Sequence, residues 1–375
     1  MVDLPALERD LDALRADVDR DLGPADLSHL RRMEAVGWLA TLLGLATCSV
    51  WVNPLTIFAL SLGTFMRWAM IGHHTIHGGY DTVPGVPERF RSKVFARGRR
   101  RVVDWLDWMA PDAWKHEHNV AHHYRLGELA DPDQPEENLE WLRRSSLPMW
   151  ARRIAVIALS LVWKPAYYAP NTMNSLWNHK ERHSGAPLSL TEMFTAKSGR
   201  ARLKAVILRC WLPYPLWRFG LLPLPFLAIS TTAWGVALLN LLLAELLTNA
   251  HAFWVIVPNH AGDDLLRFDT PATTRAERLY RQIVGSTNYT CGTDQIDVFH
   301  GWLGYQIEHH VWPDLTMRQY RLVQPRLAAL CARHGVPYIQ ESMWARAKKA
   351  MDVLTGATTM PRGGVPLAVS PTGVG

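Results

Sequence analysis

The chain has 375 residues, of which 48% are hydrophobic, and it contains 17 tryptophans and 16 histidines. Its mean hydropathy of −0.06 is that of a soluble protein, but this average conceals apolar windows of membrane-spanning length. The net charge of +6 does not indicate a nucleic-acid binder, because the basic run 89–101 adjoins an apolar segment, as cytoplasmic anchors do. Four widely separated cysteines argue against a disulfide framework and against a zinc knuckle.

Residues 1–32 predict an amphipathic helix on the cytoplasmic side. Leu4, Leu7, Leu11 and Leu14 fall at helical spacing between acidic and basic residues. Such a stripe is typical of a helix that docks on the rest of its own protein.

Four apolar windows then predict four transmembrane helices in two hairpins, at residues 34–51 and 54–72 and at residues 211–230 and 233–257. The third window is the least regular, because it contains four prolines and Arg218. A further apolar segment, 154–163, is too short to cross a membrane and is expected in the interface or in the protein core.

Basic residues mark the same end of both hairpins. Arg31 and Arg32 precede the first span, 89–101 follows the second, and 197–204 precedes the third. The positive-inside rule therefore places both termini and almost everything outside the spans in the cytoplasm.

The predicted fold is an all-α integral membrane protein with a cytosolic helical cap. Residues 33–345 form its membrane domain, and the Gly-, Pro- and Thr-rich segment 355–375 is expected to be a disordered tail.

Thirteen of the sixteen histidines fall into five groups along the chain. They are His73, His74 and His77; His116, His118, His122 and His123; His179 and His183; His251 and His260; and His309 and His310. Three of the groups contain histidines four residues apart, which project from one face of a helix at a spacing suited to a metal.

One such pair is a weak signal, because ordinary core and surface histidines occur at the same spacing. His179 and His183 lie among charged residues and are interpreted as ordinary, and the isolated His29, His300 and His334 as structural. The other groups reach the same predicted membrane face, which favours a metal site.

The number of histidines indicates two metals. About eight nitrogen ligands exceed the four of a tetrahedral zinc site, and imidazole is compatible with Fe, Zn, Cu or Ni. Carboxylates near the histidines, among them Asp131, Asp133 and Glu308, are candidates to orient the imidazole rings.

Three of these groups resemble the integral-membrane fatty acid desaturase superfamily, whose pattern is HxxxH, then HxxHH or HxxxHH, then HxxHH or QxxHH. The sequence has HHTIH at 73–77, HNVAHH at 118–123 and QIEHH at 306–310. The resemblance covers residues 50 to 320 and implies a four-span fold with a cytosolic cap, two iron ions, O₂ and two electrons from a redox partner. Because no cytochrome b5-like HPGG motif occurs, a separate donor is expected, either ferredoxin or a cytochrome b5-like protein with a reductase.

The resemblance also assigns roles to individual residues. The implied metal ligands are His73, His77, His118, His122, His123, His260, His309 and His310. Among the two histidines near the end of the fourth span, His260 is the first choice and His251 the second. Gln306 stands where many members have a histidine. The candidates for a further metal ligand, or for a residue that contacts and supports a ligand, are Gln306, His251, His74 and Asn249.

Desaturation of a fatty acyl chain, on a lipid, coenzyme A or a carrier protein, is the leading functional hypothesis. It requires no catalytic side chain apart from the metal ligands. Hydroxylation of a lipid-like substrate on the same scaffold is the alternative, which the histidine boxes do not separate from desaturation. A membrane metal transporter is less favoured, because most of the histidines lie at span ends and in the cap rather than in mid-membrane.

Overall fold

The computed structural model describes residues 2–181 and 188–363, and this part of the chain is mostly helical. The first half contains α1 (Leu4–Arg20), α2 (Pro24–Thr47), α3 (Pro54–Phe65), α4 (His73–Ile76), α5 (Arg101–Asp104), α6 (Pro111–Trp114), α7 (Pro135–Asn138), α8 (Glu140–Arg143), α9 (Met149–Leu161) and α10 (Ala169–Lys180). Its π-helical segments are Met66–Gly72, Lys115–His122 and Lys164–Tyr168, and its 3-10 turns are Glu88–Phe90 and Gly98–Arg100.

The second half contains α11 (Leu190–Thr195), α12 (Arg200–Val206), α13 (Pro213–Pro215), α14 (Thr231–Ile256), α15 (Arg275–Val284), α16 (Asp294–Phe299), α17 (Gln306–Val311), α18 (Met317–Arg333) and α19 (Met343–Thr355). Ile207–Trp211 and Leu216–Leu221 are π-helical, and Lys197–Gly199, Leu224–Ala228 and Val257–Asn259 are 3-10 turns. The short strands β1 (Asn288–Tyr289) and β2 (Gln340–Glu341) pair in parallel, with Asn288 opposite Gln340.

Two helices of the described chain are long and apolar enough to cross a membrane, Pro54–Ile76 and Thr231–Asn259. They contain the second and fourth predicted spans. Residues 34–47 of the first predicted span lie in α2, which packs so closely along α3 that a Cβ at Gly63 would lie 2.2 Å from Thr41 Oγ1. The four-span arrangement itself stays a prediction.

The third predicted span is not one continuous helix. Its residues form the short helix Pro213–Pro215, the π-helical segment Leu216–Leu221 and the 3-10 turn Leu224–Ala228. Proline lacks the N–H that an α-helix requires and clashes with the preceding turn, so four prolines divide the segment.

Asn240 of α14 ties the two predicted hairpins together. Its side-chain amide donates to the carbonyls of Cys48 and Trp51, at 2.8 and 3.0 Å, and accepts from the backbone N–H of Asn53. The Asn53 side chain in turn caps α3 by accepting from Thr56 N at 2.8 Å. The buried amide of Asn240 therefore fixes the turn between α2 and α3 against α14.

An amphipathic helix is present at Leu4–Arg20, and its apolar side chains Leu7, Leu11 and Leu14 are buried. It packs on α15 and α18, and an ion pair of Arg15 with Asp314 at 2.6 Å joins it to the segment after α17. Residues 24–32, which the sequence placed in the same unit, instead begin α2 after Gly23.

The expected disordered tail, 355–375, is ordered in its first residues. Helix α19 ends at Thr355, Met360 is buried, and the backbone N–H of Arg267 donates to Pro361 O at 2.9 Å. Residues 364–375 lie outside the described part of the chain, and so does His183.

Helix α9 carries the short apolar segment 154–163 up to Leu161. Its Val156 and Ser160 are buried, whereas Ile154 and Ile157 are more than half exposed. The helix is therefore apolar on its outer face as well as on the face that packs on α14 and α19.

Candidate metal centre

The first histidine box lies on one continuous helix. The π-helical segment Met66–Gly72 joins α3 to α4, and His73 and His77 emerge at its end with ring centroids 4.9 Å apart. Gly72 is required there, since a Cβ would come within 2.8 Å of the Trp105 ring. The Nε2 atom of His73 is 2.9 Å from Nε2 of His309.

The second box is π-helical, which explains its HxxxHH spacing. The backbone N–H of His123 bonds to His118 O, five residues earlier, at 3.1 Å. A π turn holds more residues than an α turn, so positions four and five residues on both lie near the starting residue's face. The rings of His122 and His123 accordingly lie 5.5 and 4.8 Å from the ring of His118.

The third box forms the short helix α17, in which Gln306, His309 and His310 are all buried. Glu308 points to the other side of this helix and accepts from Tyr338 OH at 2.6 Å and from Asn288 Nδ2 at 2.8 Å. Burial raises the pKa of Glu308 to about 7 despite these donors. Through these hydrogen bonds, Glu308 holds α17 in place from the side opposite the cluster.

The structure brings all eight predicted ligands into one cluster with two halves. In the first half, ligand atoms of His73, His77, His118 and His309 lie within 4.8 Å of one another, and in the second half the same holds for His122, His260 and His310. The ring of His123 lies between the halves, 4.6 Å from the ring of His77 and 4.3 Å from that of His310. Asp133 also comes within 4.8 Å of His118 and His122.

The tautomer of His122 is fixed by a carboxylate. Its Nδ1 lies 2.9 Å from Asp131 Oδ1, which can only accept a hydrogen bond, so Nδ1 carries the proton and Nε2 keeps its lone pair. Burial lowers the pKa of His122, but the charge of Asp131 and this hydrogen bond outweigh it and raise the pKa above its ordinary value.

The tautomers of His309 and His310 follow from the other hydrogen bonds that their uncharged partners, Tyr320 and Gln282, make. Tyr320 OH donates to the carbonyls of Trp312 and Pro313, so it accepts from His309 Nδ1 at 3.2 Å. Gln282 Nε2 donates to His123 O at 2.7 Å, which turns its Oε1 toward His310 Nδ1 at 2.9 Å. In both histidines the lone pair is therefore on Nε2, as in His122.

Several buried imidazole nitrogens of the cluster have no hydrogen-bond partner in the described chain. They are both ring nitrogens of His118 and His123, Nε2 of His77 and His310, and Nδ1 of His260. Burial lowers the pKa of these five histidines well below the ordinary value, so the rings are neutral and can act as ligands. Buried polar atoms without partners are costly, and a bound metal would satisfy them, so the residues fit a metal centre.

Gln306 contacts the second half of the cluster through His260. Its Nε2 lies 3.0 Å from His260 Nε2, while its Oε1 is buried without a hydrogen-bond partner in the described residues. The amide is therefore next to a candidate ligand.

The structure places the other three candidates outside the cluster. His251 stacks on Phe65 at 4.1 Å, and its Nε2 bonds to a backbone carbonyl. Asn249 accepts from the backbone N–H of Lys164 and donates within α14. His74 bonds through Nδ1 to the carbonyl one helical turn earlier, with its ring 6.0 Å from that of His309.

The comparisons with known proteins agree with this geometry. A family model described as fatty acid desaturase matches residues 49–342. The chain belongs to the fatty acid desaturase family. It is therefore an oxidoreductase, and both its family and its relatives support fatty acid desaturation as its reaction.

Its relatives include the NADPH-dependent stearoyl-CoA 9-desaturase of Mycobacterium tuberculosis, which is 24% identical over 373 residues, or 94% of this chain and 79% of the relative. Fatty acid desaturase 3 of Bos taurus is 46% identical over 52 residues, or 13% of this chain and 12% of the relative. The acyl-lipid (9-3)-desaturase of Borago officinalis is 36% identical over 58 residues, 16% and 13% of the two chains.

An apolar cavity with about 680 Å³ of empty space reaches the histidine cluster. His118, His122 and His260 line it, together with Asp133 and the apolar side chains of Leu159, Trp163, Phe253, Ile256 and Val257. A hydrocarbon chain fits such walls, because they offer few hydrogen-bonding groups and exclude water.

Sequence reasoning missed two residues of the site, Gln282 on α15 and Tyr320 on α18. Each holds one histidine of the third box, but neither has a charge, a spacing or a motif that indicates this role. Asp131 was found because it is a carboxylate that follows the second box closely.

Proposed function

We propose that the chain is a membrane desaturase that holds two iron ions in its histidine cluster and acts on a fatty acyl chain. His73, His77, His118 and His309 would hold one iron, and His122, His260 and His310 the other, with His123 between them. The observation that carries this proposal is the convergence of buried, unpartnered imidazole nitrogens at the end of an apolar cavity.

A pair of irons held there would supply the chemistry that uses O₂ and two electrons to remove hydrogen from saturated carbon. One O₂, two substrate hydrogen atoms, two electrons and two protons balance one new double bond and two waters. The residues of this chain act by placement. Asp131 fixes the ring of His122, which lines the cavity, and Gln282 and Tyr320 fix the rings of His310 and His309 elsewhere in the cluster.

The cavity would position the acyl chain and exclude water from it. Leu159, Trp163 and Phe253 form apolar walls beside His118 and His260. A wider, more polar outer cavity contains Arg125 and shares Asn138, Leu139, Leu159 and Tyr167 with the inner one. The polar head of the substrate would lie in the outer cavity, with its hydrocarbon tail directed inward.

Gln306 would position His260 rather than bind iron. With its amide turned over, Oε1 would accept a hydrogen from His260 Nε2 and leave Nδ1 of that ring as the ligand atom. The 3.0 Å contact and the unpaired Nδ1 support this role. A neutral amide is also a weaker iron ligand than imidazole.

The proposed setting is the cytoplasmic face of a membrane, with four spans and both termini inside. Exposed leucines on α2 and on the segment 216–229 support a lipid-facing surface there. The two electrons would come from a separate protein, either ferredoxin or a cytochrome b5-like protein with a reductase.

The test combines iron content with acyl-chain profiling of a host that expresses the chain. Wild type should contain about two irons per chain and yield a product lighter by two hydrogens, as two metal sites require. His118→Ala and His310→Ala should lose both iron and product, whereas His334→Ala, which removes a hydrogen bond to Asp10 away from the cluster, should keep both.

Full iron content and product in His118→Ala would contradict the metal assignment. A product heavier by one oxygen would show that the reaction is hydroxylation instead of desaturation. Both reactions begin with removal of hydrogen from the same chain, so the mass of the product distinguishes them.

A further inference from the structure

Several charged side chains are buried where the predicted spans meet the cap. Lys164 has no exposed surface and pairs with Asp107 at 2.9 Å and with Glu245 of α14 at 3.6 Å. Glu245 also accepts from Trp108 Nε1 at 2.7 Å and from Tyr214 OH at 2.6 Å. Both carboxylates are thus satisfied by groups of the protein itself.

Two guanidinium groups lie next to them, the buried one of Arg218 and the partly exposed one of Arg67. Arg218 is 7% exposed, it approaches Glu245 only to 3.9 Å, and its buried Nε and Nη2 have no hydrogen-bond partner in the described chain. Arg67 forms neither a hydrogen bond nor an ion pair with any described residue. Lys164 and Arg218 lie beside these two carboxylates, and the positive charge of Arg67 is left without an ion-pair partner among the described residues.

Arg67 and Arg218 line the same cavity. Asp104 and Asp107 also line it, but Asp104 already accepts two hydrogen bonds of 2.8 Å from Arg100, and Asp107 accepts one of 2.9 Å from Lys164. Because Arg67 is partly exposed and has no ion-pair partner among the described residues, its guanidinium can pair with an anion that reaches the cavity from outside the chain.

The surroundings of the cavity indicate a lipid. The guanidinium of Arg67 lies over the Trp38 ring at 4.9 Å, and Trp217 lines the cavity beside Arg218. Trp38 and Trp217 are 43% and 40% exposed, as are tryptophans at the boundary between lipid headgroups and acyl chains. Exposed Leu39 and Leu221 lie near them along the sequence and extend the apolar surface.

We propose that this cavity binds the phosphate group of an anionic phospholipid, such as phosphatidylglycerol, between Arg67 and Arg218. The planar guanidinium groups can each donate two hydrogen bonds to phosphate oxygens. The single negative charge of the lipid matches the single uncompensated positive charge, and its acyl chains lie on the exposed leucines. A free phosphate ion would satisfy the charge but would leave the apolar surface uncovered.

The proposal is tested on the full chain, purified in detergent and stripped of lipid. Phosphatidylglycerol, phosphatidylcholine or inorganic phosphate is titrated in, and native mass spectrometry and the thermal unfolding midpoint report binding. Phosphatidylglycerol should bind and raise the midpoint, the zwitterionic lipid should bind about tenfold more weakly, and phosphate should have no comparable effect.

Arg67→Gln should weaken phosphatidylglycerol binding about tenfold, because it removes a charge-assisted pair of hydrogen bonds. The matched control is Arg89→Gln, since Arg89 is paired with Glu34 through two bonds of 2.6 Å and should not contribute. Arg67→Lys keeps the charge and should retain the preference for the anionic lipid. Unchanged iron content and elution volume would show that each variant is folded.

Binding of phosphatidylglycerol by Arg67→Gln as tightly as by wild type would overturn the site. Equal stabilisation by inorganic phosphate would contradict the proposal that the ligand is a lipid, and it would indicate a binding site for a free anion. Equal affinity for both lipids would also contradict the proposal, because the uncompensated charge must favour the anionic lipid.

Discussion

Replacing Gln282 by leucine should weaken iron binding although Gln282 is not a ligand. The substitution removes two buried hydrogen bonds, one of 2.9 Å to His310 Nδ1 and one of 2.7 Å to the carbonyl of His123. The ring of His310 then loses the group that holds the proton on Nδ1, while its stacking on His123 remains. Loss of such a supporting contact lowers metal affinity roughly 10- to 100-fold, or about 1.4–2.8 kcal/mol.

The assay is competition for iron between the full chain in detergent and a chelator of known affinity. Gln319→Leu is the matched control, because Gln319 is also a buried, hydrogen-bonded glutamine but bonds to Asp21 and Asp26 instead of a histidine. Equal iron affinity in the two variants would refute the reasoning that Gln282 orients a ligand.

The two histidines near the end of α14 should differ, with iron retained in His251→Phe and lost in His260→Ala when metal is measured per chain. Burial lowers the pKa of His29 to about 4, below the ordinary 6.5, so the unfolded chain binds its proton first as pH falls. The free energy of unfolding should therefore lose about 3 kcal/mol between pH 6.5 and 4, and His29→Leu should flatten this dependence in unfolding titrations. Leu11→Ala removes a fully buried side chain of α1 and should cost about 2–4 kcal/mol in the same titrations; no loss would contradict tight docking of that helix.

The sequence was most informative where chemistry required a fixed local spacing. His73 with His77, and His118 with His122 and His123, can share a helix face only at these separations, so the boxes were visible without a structure. Family membership, predicted from them, is confirmed by the family model over residues 49–342. The second and fourth predicted spans lie in helices able to cross a membrane.

The residues that orient the histidines of the cluster were less visible, because their role depends on contacts between distant segments. Gln282 and His310 are 28 residues apart and meet only because α15 packs against α17. The choice between His251 and His260 likewise depended on geometry. At the same helix end, one ring turns to Phe65 and the other to His122.

The unpaired nitrogens of the cluster connect metal binding with the stability of the fold. Seven ring nitrogens, on five histidines, are buried without a partner in the described chain. Each unsatisfied buried polar atom costs about 1–3 kcal/mol, and the net stability of a typical domain is only about 5–15 kcal/mol. The boxes come from α4, the π-helical segment Lys115–His122 and α17, so opening any of these elements would return nitrogens to water. Iron, by satisfying them, would therefore hold these three elements together as well as supply its chemistry.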